Sequence, residues 1–153
     1  MNSIFSIPTA PARFIAFAAL CAAFLAVPLL EALAQDMPRP PRNAAVRFLE
    51  PLNGARVTSP VRLRFEAVAI LTEPAGKVSA GSGHHHVIVD ALPTPSGQAV
   101  GKDAQHLHFG KAQTEESLEL TPGLHTITLQ FADGLHRSYG PALSRSIIVE
   151  VIR

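Results

Sequence analysis

Val61, Leu63, Phe65 and Ala67 alternate with Arg62, Arg64 and Glu66. Alternation at a period of two puts every apolar side chain on one face, which a half-buried strand requires and a helix cannot use. The pattern recurs at Val46 and Phe48, at His125, Ile127, Leu129 and Phe131, and at Ile147, Val149 and Val151. Turn chemistry separates the runs: Asn53-Gly54 tolerates positive φ, Thr121-Pro122-Gly123-Leu124 fits a type II turn, and Asp133-Gly134 closes a strand. No stretch after residue 34 repeats at 3.6 residues. Strands are predicted over residues 44–50, 61–67, 84–90, 106–109, 118–120, 125–131 and 146–151, with 72–83 and 91–104 as loops and one helical turn within 111–117. That is an all-β chain, expected to form an antiparallel immunoglobulin-like β-sandwich of about seven strands. A Cys–Trp–Cys core is missing, because tryptophan is absent and Cys21 is the sole cysteine.

The first 34 residues read as a signal peptide. Arg13 supplies the positive charge, Phe14 to Leu30 is nearly unbroken apolar sequence, and Ala32-Leu33-Ala34 gives the small-x-small cleavage pattern. At about 17 residues the run sits at the short limit for a membrane span, and the cleavage triplet follows closely. A periplasmic or secreted location is expected, with no stable membrane insertion after cleavage. Residues 35–43 form a Pro-rich extended arm and 44–153 a single β-sandwich domain. Removing 34 of 153 residues leaves 119, enough for a core without a staple. The leader takes Arg13 and Glu31 with it, so 13 basic and 12 acidic residues become 12 and 11 and the net charge stays at +1. Without a basic block, no nucleic-acid partner is expected.

All seven histidines fall between positions 84 and 136. In a strand, residues i and i+2 share a face roughly 7 Å apart. His84 and His86 therefore share one face, with His85 opposite. His106 and His108 share another, and Leu107 and Phe109 take the core side. Two such pairs on neighbouring strands would gather four imidazoles around one transition-metal ion. Neutral imidazole suits Zn(II) and Cu(II), whereas Cu(I) prefers sulfur, and the mature chain offers only Met37. His84, His86, His106 and His108 are the expected ligands, with His136 completing or gating the site. Asp90, Asp133 and Gln113 are candidate supporting groups, Asp90 and Asp133 as acceptors that would fix a histidine tautomer. His85 is equally placed as ligand or structural residue. His125, on the apolar side of its strand, reads as a hydrogen-bonded structural histidine, in the position where many sandwiches place a corner tyrosine.

The alternative is a module of the cell envelope without metal, in which the histidines form a hydrogen-bonded network or recognise an envelope component. Catalysis has less support. No Gly-x-Ser-x-Gly elbow exists, and a metal-assisted hydrolase would need a base for which Glu115 and Glu116 are the nearest candidates. No catalytic residue and no organic cofactor are expected.

Gly83-His84-His85-His86-Val87-Ile88-Val89-Asp90 and His106-Leu107-His108-Phe109-Gly110-Lys111 resemble the exported bacterial family catalogued as domain of unknown function 4399. The resemblance continues through Leu120-Thr121-Pro122-Gly123-Leu124-His125 to Asp133 and His136, and covers nearly all of the chain after the leader. It implies no established activity. The family pattern has a further histidine shortly after the one matched by His136. Tyr139 stands there in this chain, so the resemblance implies at most a tyrosine oxygen in that ligand's place.

Overall fold

The computed structural model describes residues 39–153. The expected signal peptide and the first part of the arm lie outside the described residues. Among the described residues nine strands form in chain order: β1 Ala45–Glu50, β2 Arg56–Thr58, β3 Val61–Val68, β4 Leu71–Thr72, β5 Ser82–Val89, β6 His106–His108, β7 Glu115–Leu118, β8 Gly123–Ala132 and β9 Ser144–Ile152. One 3-10 turn, Gly140–Leu143, precedes β9. Among the described residues no helix is long and apolar enough to cross a membrane.

Two sheets result. The smaller has the order β1-β3-β7, and the larger has the order β2-β9-β8-β5-β4, with β6 added beside β5. Their facing sides carry the alternating apolar sets read from the sequence: Val61, Leu63 and Phe65 from β3, Ile127, Leu129 and Phe131 from β8, and Val149 and Val151 from β9. The all-β sandwich is thus the observed architecture. Most pairings are antiparallel, but β2 runs parallel to β9 and β4 parallel to β5. These two short strands were not predicted, because three and two residues carry too little periodicity to register.

Three local expectations change. Residues 111–117 hold no helical turn; Ala112 takes φ 61 and the chain enters β7 at Glu115. Ser117 then pairs with Arg62 and Leu118 with Val61, so cross-strand hydrogen bonding overrides the local preference. Gly123 has φ 142 and already belongs to β8, not to a type II turn. Ser82-Gly83 opens β5 instead of ending a loop. A Cβ on Gly83 would sit 2.0 Å from the Ala132 carbonyl oxygen, so close approach of β8 requires glycine there.

Every residue of β5 is buried. Its inward side chains, His85, Val87 and Val89, meet the core between the sheets. Its outward side chains, His84, His86 and Ile88, lie under loops. Gln130, opposite His86 on β8, holds one of those loops: its side-chain amide donates to the Thr94 carbonyl and to Ser138 Oγ, and its Oε1 accepts from Thr94 N. The segment around Val100 is tied in turn to 136–138, with Val100 N donating to the His136 carbonyl at 2.9 Å. Loop coverage on one side and the second sheet on the other explain why Val87-Ile88-Val89 is apolar on both faces.

Candidate metal centre

The outward face of β5 brings His84 and His86 together, and β6 pairs alongside so that His108 stands opposite His86. The fourth ring comes from the turn after β8. Asp133 builds that turn: its carboxylate accepts from Leu135 N and Arg137 N and from the Arg137 guanidinium, and its carbonyl accepts from His136 N. The turn holds His136 at φ 65. A left-handed conformation is costly for a β-carbon residue and persists where surrounding contacts enforce it. His136 is thereby aimed at His108.

The Nε2 atoms form a chain in which His84, His86 and His108 approach one another and His136 joins through His108. His86 to His84 is 3.1 Å, His84 to His108 is 3.2 Å and His108 to His136 is 3.1 Å. One ligand nitrogen each from His84, His86 and His108 lies within 4.8 Å of the others. An imidazole nitrogen carries one in-plane proton or one in-plane lone pair, so it can complete only one good hydrogen bond. His84 Nε2 and His108 Nε2 each face two neighbours. At most two of the three contacts can therefore be hydrogen bonds at once. The Nδ1 atoms of His84 and His86 find no hydrogen-bond partner among the described residues. Buried polar atoms in this condition are rare and costly.

Burial and mutual repulsion favour the neutral form of His84, His86 and His108. Desolvation, then the neighbouring His108 and His136, lowers the pKa of His84 to about 4. Desolvation and the charge of His84 lead the causes that lower His86 to about 2. His108 is lowered by burial, by His136 and by Lys102. Neutral imidazoles present lone pairs, the form that a metal ion binds. His84 and His86 are 0% and 1% exposed, while His86, His108 and His136 line a pocket of about 440 Å³ with Ala75, Gly76, Val100, Gly101 and Lys102. The cluster is sealed behind His84 and open on the other three rings.

Other expected residues stand elsewhere. His106 lies beside His108 on β6, but its Nδ1 contacts Asp103 Oδ1 at 2.8 Å and it makes no contact within the four-ring set. A nearby carboxylate offered by its own turn captures the ring. His85 points to the core, edge-on to Phe65 and Phe131 with centroids 4.8 and 4.9 Å apart. Burial lowers its pKa to about 4. Asp90 fixes a histidine, but that histidine is His125: Nδ1 lies 2.7 Å from Asp90 Oδ2, and Nε2 lies 2.8 Å from the Thr121 carbonyl. Asp133 shapes the turn and fixes no histidine ring. Gln113 accepts from Lys111 N within its own loop. The Tyr139 hydroxyl donates to the Ser82 carbonyl at 2.8 Å, so it secures the start of β5 and is not directed at the cluster. Glu115 belongs to the other sheet, paired with Arg62 at 3.0 Å.

Sequence reasoning missed Gln130 and Gly110. A Cβ on Gly110 would meet His108 Cε1 at 2.3 Å and Nε2 at 2.6 Å, so glycine there makes room for the His108 ring. For Gln130 a signal existed: if β5 is apolar on both sides, its neighbour's outward residues are covered too.

With this geometry in view, the comparison with protein families is decisive on kinship. Residues 63–152 match the family described as Domain of unknown function (DUF4399). The chain belongs to that family. The region matched to DUF4399 contains all four clustered histidines, strands β4 to β9 and β3 from Leu63 onward. No curated protein and no solved structure matches the chain at a significant level.

Proposed function

We propose that this DUF4399 protein is an exported, periplasmic metal-binding module that holds Zn(II) or Cu(II) through His84, His86, His108 and His136, for storage, delivery or buffering. One observation carries the reading. Three Nε2···Nε2 contacts of 3.1–3.2 Å run through four buried or half-buried imidazoles, at most two of these contacts can be hydrogen bonds at once, and the Nδ1 atoms of His84 and His86 have no partner among the described residues. A cation at their centre would satisfy all four lone pairs together and turn a repulsive cluster into a bound one. Donors about 2.0 Å from an ion stand roughly 2.8 Å apart in a square plane and about 3.3 Å apart in a tetrahedron, which brackets these contacts.

The pocket lining includes no carboxylate among the described residues, so the site offers ligands without a base beside them. This supports binding over hydrolysis. The competing view, an envelope interaction module whose histidines form a hydrogen-bonded network, has the unsatisfied contacts against it. Isothermal titration of the metal-free protein distinguishes the two. Micromolar or tighter binding of one of the ions, lost in His84→Ala with His108→Ala, is expected. If neither ion binds, and that double variant lowers the melting temperature equally with and without chelator, the network reading replaces this one.

A further inference from the structure

Six ring-to-ring distances describe the shape of the cluster. His84 stands 4.9, 5.0 and 5.0 Å from His86, His108 and His136, centroid to centroid. His86 to His108 is 5.1 Å, His108 to His136 is 4.8 Å and His86 to His136 is 5.9 Å. With donors about 2.0 Å from an ion and centroids roughly 1.1 Å further out, a tetrahedron puts all six pairs about 5.1 Å apart. A square plane instead puts four pairs at about 4.4 Å and two at about 6.3 Å. Five of the observed six cluster at the tetrahedral value, and only the His86–His136 edge is stretched. No pair shows the short edge that a plane requires.

Resting on the metal-binding reading above, we infer that the resident ion is Zn(II), held as a closed tetrahedral tetra-imidazole complex, and not Cu(II). Zn(II) has no electronic preference to oppose a tetrahedron, whereas Cu(II) favours a tetragonal plane. The backbone positions that carry the rings have little freedom to bring them into one plane. His84 and His86 are fixed by the register of β5 against β8, His108 by its pairing with His86, and His136 by the turn that Asp133 clamps. Cu(I) also accepts a tetrahedron, but it prefers sulfur, and no sulfur atom lines the pocket among the described residues. Four imidazoles fill the tetrahedron, so the bound ion retains no position for a reacting water. His84 closes the inner side, and the ion enters through the face formed by His86, His108 and His136, where the pocket lies.

The test uses Co(II) as a visible stand-in for Zn(II), with Cu(II) paramagnetic resonance on a parallel sample of the whole mature protein. A visible Co(II) band an order of magnitude more intense than that of the aqueous ion is expected, as is a Cu(II) spectrum with the narrowed parallel splitting of a tetrahedrally distorted site. His136→Ala, a change in a turn outside the sheets, should weaken the Co(II) band and open a position to water. A weak six-coordinate Co(II) spectrum, or an ordinary tetragonal Cu(II) signal, overturns the tetrahedral assignment while leaving a metal site standing. If Co(II), Zn(II) and Cu(II) all fail to bind, this inference fails together with the reading beneath it.

Discussion

His84 Nε2 and His108 Nε2 stand 3.2 Å apart, although each already has another imidazole nitrogen 3.1 Å away. Hydrogen bonding can settle at most two of the three contacts in this chain and leaves the third unmet. This is the structural reason to expect a cation between these residues.

Gly110→Ala should damage the cluster without unfolding the protein. The new methyl group would collide with His108 Cε1, which would lie 2.3 Å away, and a half-buried ring can rotate aside. Metal affinity is expected to fall more than roughly tenfold, in the range seen when support for a ligand is lost. Titration calorimetry measures this, with a thermal melt of the metal-free variant expected to stay close to wild type.

His136→Gly should separate stability from binding. Glycine adopts φ 65 without the cost a histidine carries there. Chelator-treated protein should therefore gain about 1 kcal/mol in urea denaturation, while its metal affinity drops. A loss of stability in the metal-free state would mean that the ring itself supports the fold.

His125 has two acceptors, the Asp90 carboxylate and the Thr121 carbonyl, and only the imidazolium can donate to both. The hydrogen bond to Asp90 leads the causes that raise its pKa, against a smaller opposing effect of burial. A raised folded-state pKa gives stability that is complete below the unfolded value near 6.5 and is lost as pH rises through the folded value. Urea midpoints of the metal-free protein should therefore fall on the alkaline side of about pH 6.5 through this group. In His125→Gln that component should be absent.

Gln130→Leu keeps the volume and removes the amide that bonds Thr94 and Ser138. The Thr94 carbonyl and Ser138 Oγ keep each other, but the Thr94 N–H is left unmet, which should cost about 1–3 kcal/mol. The loss should be accompanied by faster hydrogen exchange across residues 94–100, whose loop covers the outward face of β5. Equilibrium denaturation and exchange mass spectrometry read the two effects separately.

Tyr139→Phe removes one donor, to the Ser82 carbonyl, at a cost of about 1 kcal/mol. Metal affinity should be unchanged, because the hydroxyl is directed at the backbone and not at the cluster. A large loss of affinity would restore tyrosine as a ligand.

Most strands could be read from the sequence because period-two alternation is local and long. Val61 to Ala67 states which face is buried before any partner is known. The H-x-H spacing likewise placed His84 with His86, and the two-sided apolarity of Val87-Ile88-Val89 announced a covered strand. Short β2 and β4 left no such trace, since their pairing is decided by β9 and β5.

The choice of rings could not be made locally. Spacing gave His106 and His108 the same claim, but Asp103 holds one and the β5–β6 register places the other beside His86. His136 joins them because Asp133 folds a turn around it, 28 residues along the chain from His108. The sequence by itself determined which side chains could serve as ligands and that a sandwich would carry them, because side-chain chemistry and strand periodicity are local properties. The tertiary structure decided which of those rings meet, because convergence depends on register, turn geometry and loop coverage that no single segment encodes.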